Sequence, residues 1–113
     1  MPNTNDIKYV KQNDVRLKSG MSEEFNKILL EFIKSVEGKV KGLKGFIVMN
    51  STTNTSEIIV LSLWKTESDM KVFYHPSNKA LYDFVDRASP LFESKPERTD
   101  YVVSHFSISD FRI

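Results

Sequence analysis

Two histidines, one asparagine and four aromatic residues are where this chain could do chemistry. His75 and His105 are its only imidazoles. Histidine is the side chain whose ordinary pKa lies closest to neutral, so either suits a general acid or base. His75 stands before Pro76, where a surface or helix-capping role competes with a chemical one. His105 falls in an alternating run, where a place in a paired strand competes. Asn13 shares a face of an alternating segment with Tyr9 and Val15. A polar amide on an apolar face needs a partner, from backbone or water in one reading and from a ligand in the other. Trp64, the single tryptophan, ends an apolar strand, and Phe73, Tyr74 and Tyr82 follow along a helical stretch. These aromatics either fill the core or line a pocket for a planar molecule, with a tyrosine hydroxyl to orient an oxygen atom.

Composition removes other chemistries. Sixteen Lys and Arg against fifteen Asp and Glu leave a net charge of +1, without the clustered basic excess that nucleic acid demands. The absence of cysteine excludes disulfides, thiolate metal sites and thiol nucleophiles. Two histidines do not make a multi-histidine metal site within one chain. No Gly-rich phosphate loop, zinc-protease helix motif or nucleophile elbow occurs, which disfavours nucleotide-dependent and hydrolytic reactions. There is no membrane-spanning run and no signal-peptide core, so a cytoplasmic protein is expected. Glycosylation sequons begin at Asn50 and Asn54, but without a signal segment they read as turn residues.

The elements that must position these residues follow from periodicity. At 113 residues the chain is expected to be one domain, with a leader over 1–6 and a tail over 109–113. Alternation marks a first strand from Tyr9 to Leu17. Ser22 then reads as an N-cap, with Glu23 and Glu24 in the first turn. Phe25, Ile28, Leu29, Phe32, Ile33, Val36 and Val40 make one helical stripe, with a stop between Glu37 and Lys41. Phe46–Met49 is a second strand, joined through the polar turn 50–56 to a third, Glu57–Trp64. That strand is apolar on both faces. One layer of helices covers one face only, so the other calls for a second chain. A second helix, capped by Thr66 or Ser68, breaks at His75-Pro76 and is recapped at Ser77. It continues with Leu81, Phe84, Val85 and Ala88 inward and ends at Ser89-Pro90. Residues 91–99 read as a loop, and Tyr101–Ile108 as a fourth strand. Phe111 and Ile113 in the tail are expected to cross onto a neighbour. The order β-α-β-β-α-β is the ferredoxin-like arrangement, an α+β antiparallel sheet with helices on one face.

This combination resembles the antibiotic biosynthesis monooxygenase family of dimeric α+β barrel proteins. The features that carry it are Lys18-Ser19-Gly20 before an E-E-F helix, Gly42 to Phe46 opening the second strand, and the strand end Leu63-Trp64. To these add the acidic step Glu67, Asp69 and the run from His75 to Leu81. Together they span about Tyr9 to Phe106. The resemblance implies a homodimer whose sheets press together, each chain keeping a pocket between sheet and helices. It also implies cofactor-free oxidation of a quinol or phenolic aromatic molecule. His75 would then be the base and Asn13 a second catalytic residue, with Trp64, Phe73, Tyr74, Tyr82 and His105 around the substrate. Haem-degrading members use an Asn on the first strand, a Trp on the second helix and a His further along it. Asn13, seven residues before Gly20, matches the first of these. The Trp position falls on Phe73 and the His position on Asp83 or Phe84, which disfavours haem and leaves no cofactor expected. A non-catalytic module that holds an apolar ligand or haem is the competing reading. A structural homodimer that fills its own pocket is a third.

Overall fold

A computed structural model describes residues 6–109. Residues 1–5 of the leader, and Phe111 and Ile113 of the tail, lie outside the described residues. The strands are β1 Tyr9–Arg16, β2 Leu43–Asn50, β3 Glu57–Trp64 and β4 Glu97–Val102. The helices are α1 Ser22–Val36, α2 Glu67–Phe73 and α3 Lys79–Ala88, with a short 3-10 turn at Ser89–Leu91. The sheet runs β2-β3-β1-β4 and every neighbouring pair is antiparallel. This is the expected ferredoxin-like α+β fold.

Register decides which residues share a face. Tyr9, Lys11, Asn13 and Val15 of β1 oppose Trp64, Ser62, Val60 and Ile58 of β3. These eight point toward the helices. Across the far edge of β1, Arg98 opposes Asn13 and Asp100 opposes Lys11. The helical stripe of α1 is buried as expected at Phe25, Ile28, Leu29, Phe32, Ile33 and Val36. Two apolar clusters result, one around Val15, Phe25 and Ile58, the other around Trp64, Met70 and Phe73.

Ser62 is the one polar residue buried in this layer. Its hydroxyl accepts from Trp64 Nε1 at 2.8 Å and shares a hydrogen bond with the Tyr74 hydroxyl at 2.8 Å. The fold thereby satisfies three buried polar groups with one another, as a low-dielectric interior requires. Gly42 makes a second close approach possible. It holds φ +81, and a Cβ there would lie 2.7 Å from Asp69 Cβ, so only glycine lets α2 sit against the start of β2.

Four expectations need correction. Met21, not Ser22, is the N-cap of α1 and makes no side-chain capping bond. Ser22 has already turned into the helix, and its carbonyl accepts from Asn26 Nδ2. Asn78, not Ser77, recaps the broken helix: its Oδ1 accepts from Leu81 N while its Nδ2 donates to Phe73 O. Ser77 is occupied with His75 instead. β2 begins at Leu43, ahead of the expected Phe46, because the residues around Gly45 still pair with Leu63 and Trp64.

The largest error concerns β4. It starts at Glu97 and ends at Val102, six residues with none buried. The polar run Glu97-Arg98-Thr99 reads as a loop, yet it pairs with Gln12–Asp14 along the edge of the sheet. Edge strands tolerate such polarity because one side of the ladder faces water. His105 therefore stands beyond the strand. It is exposed, with Nε2 within hydrogen-bond reach of Ser107 Oγ.

Removing the Ser62 hydroxyl strands the Trp64 N–H and weakens the Tyr74 anchor in a dry environment. Ser62→Ala is expected to lower stability by about 1–3 kcal/mol, read from the urea midpoint at unchanged slope. A loss under a few tenths would mean that these groups find other partners.

Candidate functional site

A cavity of about 470 Å³ opens between the inner face of the sheet and the helices. Its walls are largely apolar, from Phe25, Phe32, Phe46, Phe73, Phe84 and Phe92. The rings brace one another: Phe32 stacks on Phe84 at 4.7 Å between centroids, and Phe25 meets Phe92 edge-on at 5.9 Å. Among the described residues, no side chain fills this space.

One end of the cavity is polar. Asn13, Tyr74, Tyr82, Lys95 and Arg98 meet there. Arg98 Nε donates to Asn13 Oδ1 at 3.0 Å and Nη1 donates to the Tyr82 hydroxyl at 3.2 Å. Tyr82 in turn donates to the Tyr74 carbonyl at 2.8 Å. The guanidinium lies 5.1 Å from the Tyr74 ring and 5.8 Å from the Tyr82 ring, within cation–π range. Because Arg98 has only N–H to offer, the amide oxygen of Asn13 is the atom that faces it. The amide NH2 is turned toward the Tyr74 phenol, and it has two N–H groups to give.

The broken helix places the two tyrosines. Pro76 has no N–H and cannot extend α2, so the last carbonyls of that helix lack intrahelical partners. Side chains take them up: Asn78 bonds the carbonyl of Phe73, and Tyr82 bonds that of Tyr74. The break is thus held closed by Asn78 and by Tyr82, which also lines the cavity.

Burial pushes the Tyr74 phenol above its ordinary value near 10, the largest effect on it. The hydrogen bond to Ser62, the neighbouring Asn13 amide and the Arg98 charge pull the other way, and Asp100 adds to the rise. The phenol is held neutral.

The structure brings four of the seven sequence-level candidates to the cavity: Asn13, Phe73, Tyr74 and Tyr82. Trp64 is fully buried behind it, 5.2 Å from Phe73 between ring centroids. It supports the wall, a core role, and is not among the lining residues. His75 is exposed, and its Nδ1 faces Ser77, accepting from the Ser77 N–H at 3.1 Å. The imidazole is engaged with the turn that follows Pro76 and is not among the cavity's lining residues. His105 is likewise outside it. Among the lining residues the titratable side chains are Tyr74, Tyr82, Lys95 and Arg98, with no carboxylate and no imidazole.

Arg98 and Lys95 are the polar residues that sequence reasoning missed, because residues 91–99 read as a loop. Pro96 carried a usable signal. A strand starting directly after it puts Arg98, Asp100 and Val102 on one face, opposite Asn13, Lys11 and Tyr9.

Comparison with known proteins accords with the fold. The family model described as antibiotic biosynthesis monooxygenase matches residues 8–75. Among solved structures, a candidate antibiotic biosynthesis monooxygenase from Nitrosomonas europaea superposes with a TM-score of 0.76 at 14% identity, covering 87% of this chain and 91% of its own. A candidate of the same description from Caulobacter crescentus gives 0.76 at 15% identity, over 88% and 92%. A conserved protein from Methanosarcina mazei gives 0.74 at 16% identity, over 87% and 94%. At such identities the likeness carries the fold alone. No curated protein matches the chain. Asn13 and Tyr74 fall within the matched residues, whereas Tyr82, Lys95 and Arg98 fall beyond them.

The raised Tyr74 pKa has a signed consequence. A neutral phenol favoured by the fold contributes stability that is fully present below the unfolded value of about 10 and is lost as pH rises through the folded value. Alkaline urea titrations of Tyr74→Phe should therefore show a shallower loss of stability above pH ~10 than the parent chain. Identical alkaline profiles would mean that Tyr74 ionises freely in the fold.

Proposed function

The chain belongs to the antibiotic biosynthesis monooxygenase family, and from that premise we propose that it oxidises a quinol or phenolic aromatic molecule with dioxygen, using no bound cofactor. The observation that carries this reading is the aromatic cavity with one donor-rich end, where Asn13 and Arg98 meet. Flat, electron-rich rings fit walls of phenyl groups, and a developing phenolate needs N–H donors where its oxygen lies.

Among the described residues, no lining side chain is a carboxylate or imidazole, so activation in this proposal is electrostatic. A phenol of pKa about 10 is lowered by about 1–3 units beside a fixed cation and donor. The Asn13 NH2 is the group we assign to the phenolate oxygen, with Arg98 fixing the amide. Its proton leaves through the open mouth to water. The electron-rich ring then transfers electrons to dioxygen. For a phenol with a free para position, one oxygen atom becomes the new quinone carbonyl and the other leaves as water. The substrate supplies all four electrons, so the reaction balances without a reductant. The apolar walls keep water from the reactive ring.

Haem is a poor match to these residues. The lining offers no imidazole or thiolate, and both tyrosine hydroxyls are engaged within the protein. The position where a haem-degrading relative would carry its His falls on Asp83, which pairs with Lys79 at the surface, or on Phe84, a cavity wall.

A second reading has its own observation. Because no side chain that lines the cavity is an ordinary base, the same pocket would serve a binding module that returns its ligand unchanged.

We also propose that two chains pair through the uncovered face of the sheet. Ile47, Met49 and Tyr101 are exposed there beside Ile59 and Leu61. On the same face Asp14 Oδ1 is shielded from solvent without a hydrogen-bond partner among the described residues. A second chain would cover the apolar patch and bring donors within reach.

Oxygen uptake without added metal or flavin tests the first reading. Quinols and hydroxylated naphthalenes should give protein-dependent uptake, with Asn13→Ala slower by about 10²–10³-fold and His75→Ala within about twofold of the parent. Ligand binding with no uptake would favour the binding module. An Asn13→Ala variant at full speed would sink the assignment of that residue. For assembly, sedimentation should give a dimer for the parent chain and a monomer for Ile47→Asp. A parent chain that sediments as a monomer would end the pairing proposal.

A further inference from the structure

The polar end of the cavity holds positive charge that the protein does not neutralise. Among the described residues, neither Arg98 nor Lys95 has a carboxylate within ion-pair distance, whereas the other cation near the Tyr74 ring, Lys11, is paired with Asp100 at 2.8 Å. Among the described residues, no Asp or Glu lines the cavity. Arg98 is also set in place before any ligand arrives. Its Nε is tied to Asn13, its Nη1 to Tyr82, and two tyrosine rings flank the guanidinium. Of the five N–H groups that a guanidinium carries, those two bonds occupy two, and a bidentate carboxylate takes another two. A fork already oriented loses little freedom on binding.

We propose that the molecule bound here is a hydroxylated aromatic carboxylate, its carboxylate held by Arg98 at the mouth with Lys95 as a second cation. This rests on the cavity being the ligand site, and it names the group that selects the ligand. The ring lies among the phenyl walls. Asn13 and Arg98 are cross-strand partners joined at 3.0 Å, so the groups we assign to hydroxyl and carboxylate lie side by side. The proposal therefore places the hydroxyl next to the carboxylate. Neutral phenols lack the group that Arg98 is oriented to receive, and aromatic amines would bring a donor to a site that already has only donors to give.

Matched ligands test this on the unaltered protein. The affinities of 1-hydroxy-2-naphthoate and 1-naphthol are measured by calorimetry at low salt and at ~0.5 M salt. The naphthoate should bind about tenfold more tightly, with the margin shrinking in high salt. Arg98→Gln should bring the two affinities within about twofold of each other, Arg98→Lys should retain part of the margin, and Lys95→Gln should reduce it less. Circular dichroism confirms that each variant is folded. Equal affinities in the parent chain would overturn the carboxylate assignment while leaving the cavity as the ligand site. A margin unchanged in Arg98→Gln would overturn it as well, by placing the anion elsewhere. If neither compound binds, both the assignment and the underlying reading of the cavity fail.

Discussion

A hydrogen-bonded line that runs from the core to the mouth of the cavity governs the rest of this structure. Trp64 donates to Ser62, Ser62 meets the Tyr74 hydroxyl, the Tyr74 carbonyl accepts from Tyr82, and Tyr82 accepts from Arg98, which donates to Asn13. The line begins at a residue with no exposure, reaches the exposed edge strand β4 at Arg98 and closes on Asn13 of β1. Each member needs its neighbour, because an unpartnered polar group in the dry interior costs about 1–3 kcal/mol. It joins β3, α3, β4 and β1 across the helix break, so it fixes their relative positions where apolar packing alone would let rings slide. Phenyl groups specify volume, while hydrogen bonds specify direction.

The helix break is the part of the fold that this line cannot do without. An uninterrupted helix from Glu67 to Ala88 would use the Phe73 and Tyr74 carbonyls internally. Pro76 frees them, and two polar side chains, Asn78 and Tyr82, take their place. In doing so Tyr82 comes within reach of Arg98. A local defect in secondary structure is thus converted into the polar end of a cavity. His75 belongs to the same defect but serves it differently: its ring nitrogen faces the Ser77 N–H and hydroxyl and stabilises the turn.

Much of the fold was legible because its signals were strong and local. The stripe from Phe25 to Val36 is buried as its periodicity implies, although α1 ends short of the expected Val40, and the strand Glu57–Trp64 has the expected bounds. Asn13 was legible as a candidate because polarity on an apolar face demands a partner, and Tyr74 and Tyr82 because aromatics along a broken helix can line a pocket. The rest depended on tertiary facts. Glu97–Val102 has no apolar alternation, since an edge strand draws its order from pairing with β1 and not from burial. Arg98 became visible only with that register. Histidine attracted attention for its titration range, a property of the residue type that says nothing of where Pro76 would turn it. Trp64 carried both readings at once, and full burial places it in the core.

The two faces of the sheet divide the work of a small domain. The inner face carries Asn13, Val60, Ser62 and Trp64 under the helices, and the outer face carries Ile47, Met49, Ile59 and Leu61 without a cover. Strict alternation keeps the two sets apart, because a one-residue slip would exchange them entirely. β1 is where both demands meet: Asn13 faces the cavity, and Asp14, one residue on, faces outward with a shielded oxygen lacking a partner. A change that shifts the β1 register would therefore disturb the outer surface and the polar end of the cavity together. Arg98, bonded across β1 at the sheet edge, joins these constraints. Its orientation requires the β4 register, the Asn13 amide and the helix break to be correct at once, so the site is a product of the whole fold and not of a short motif.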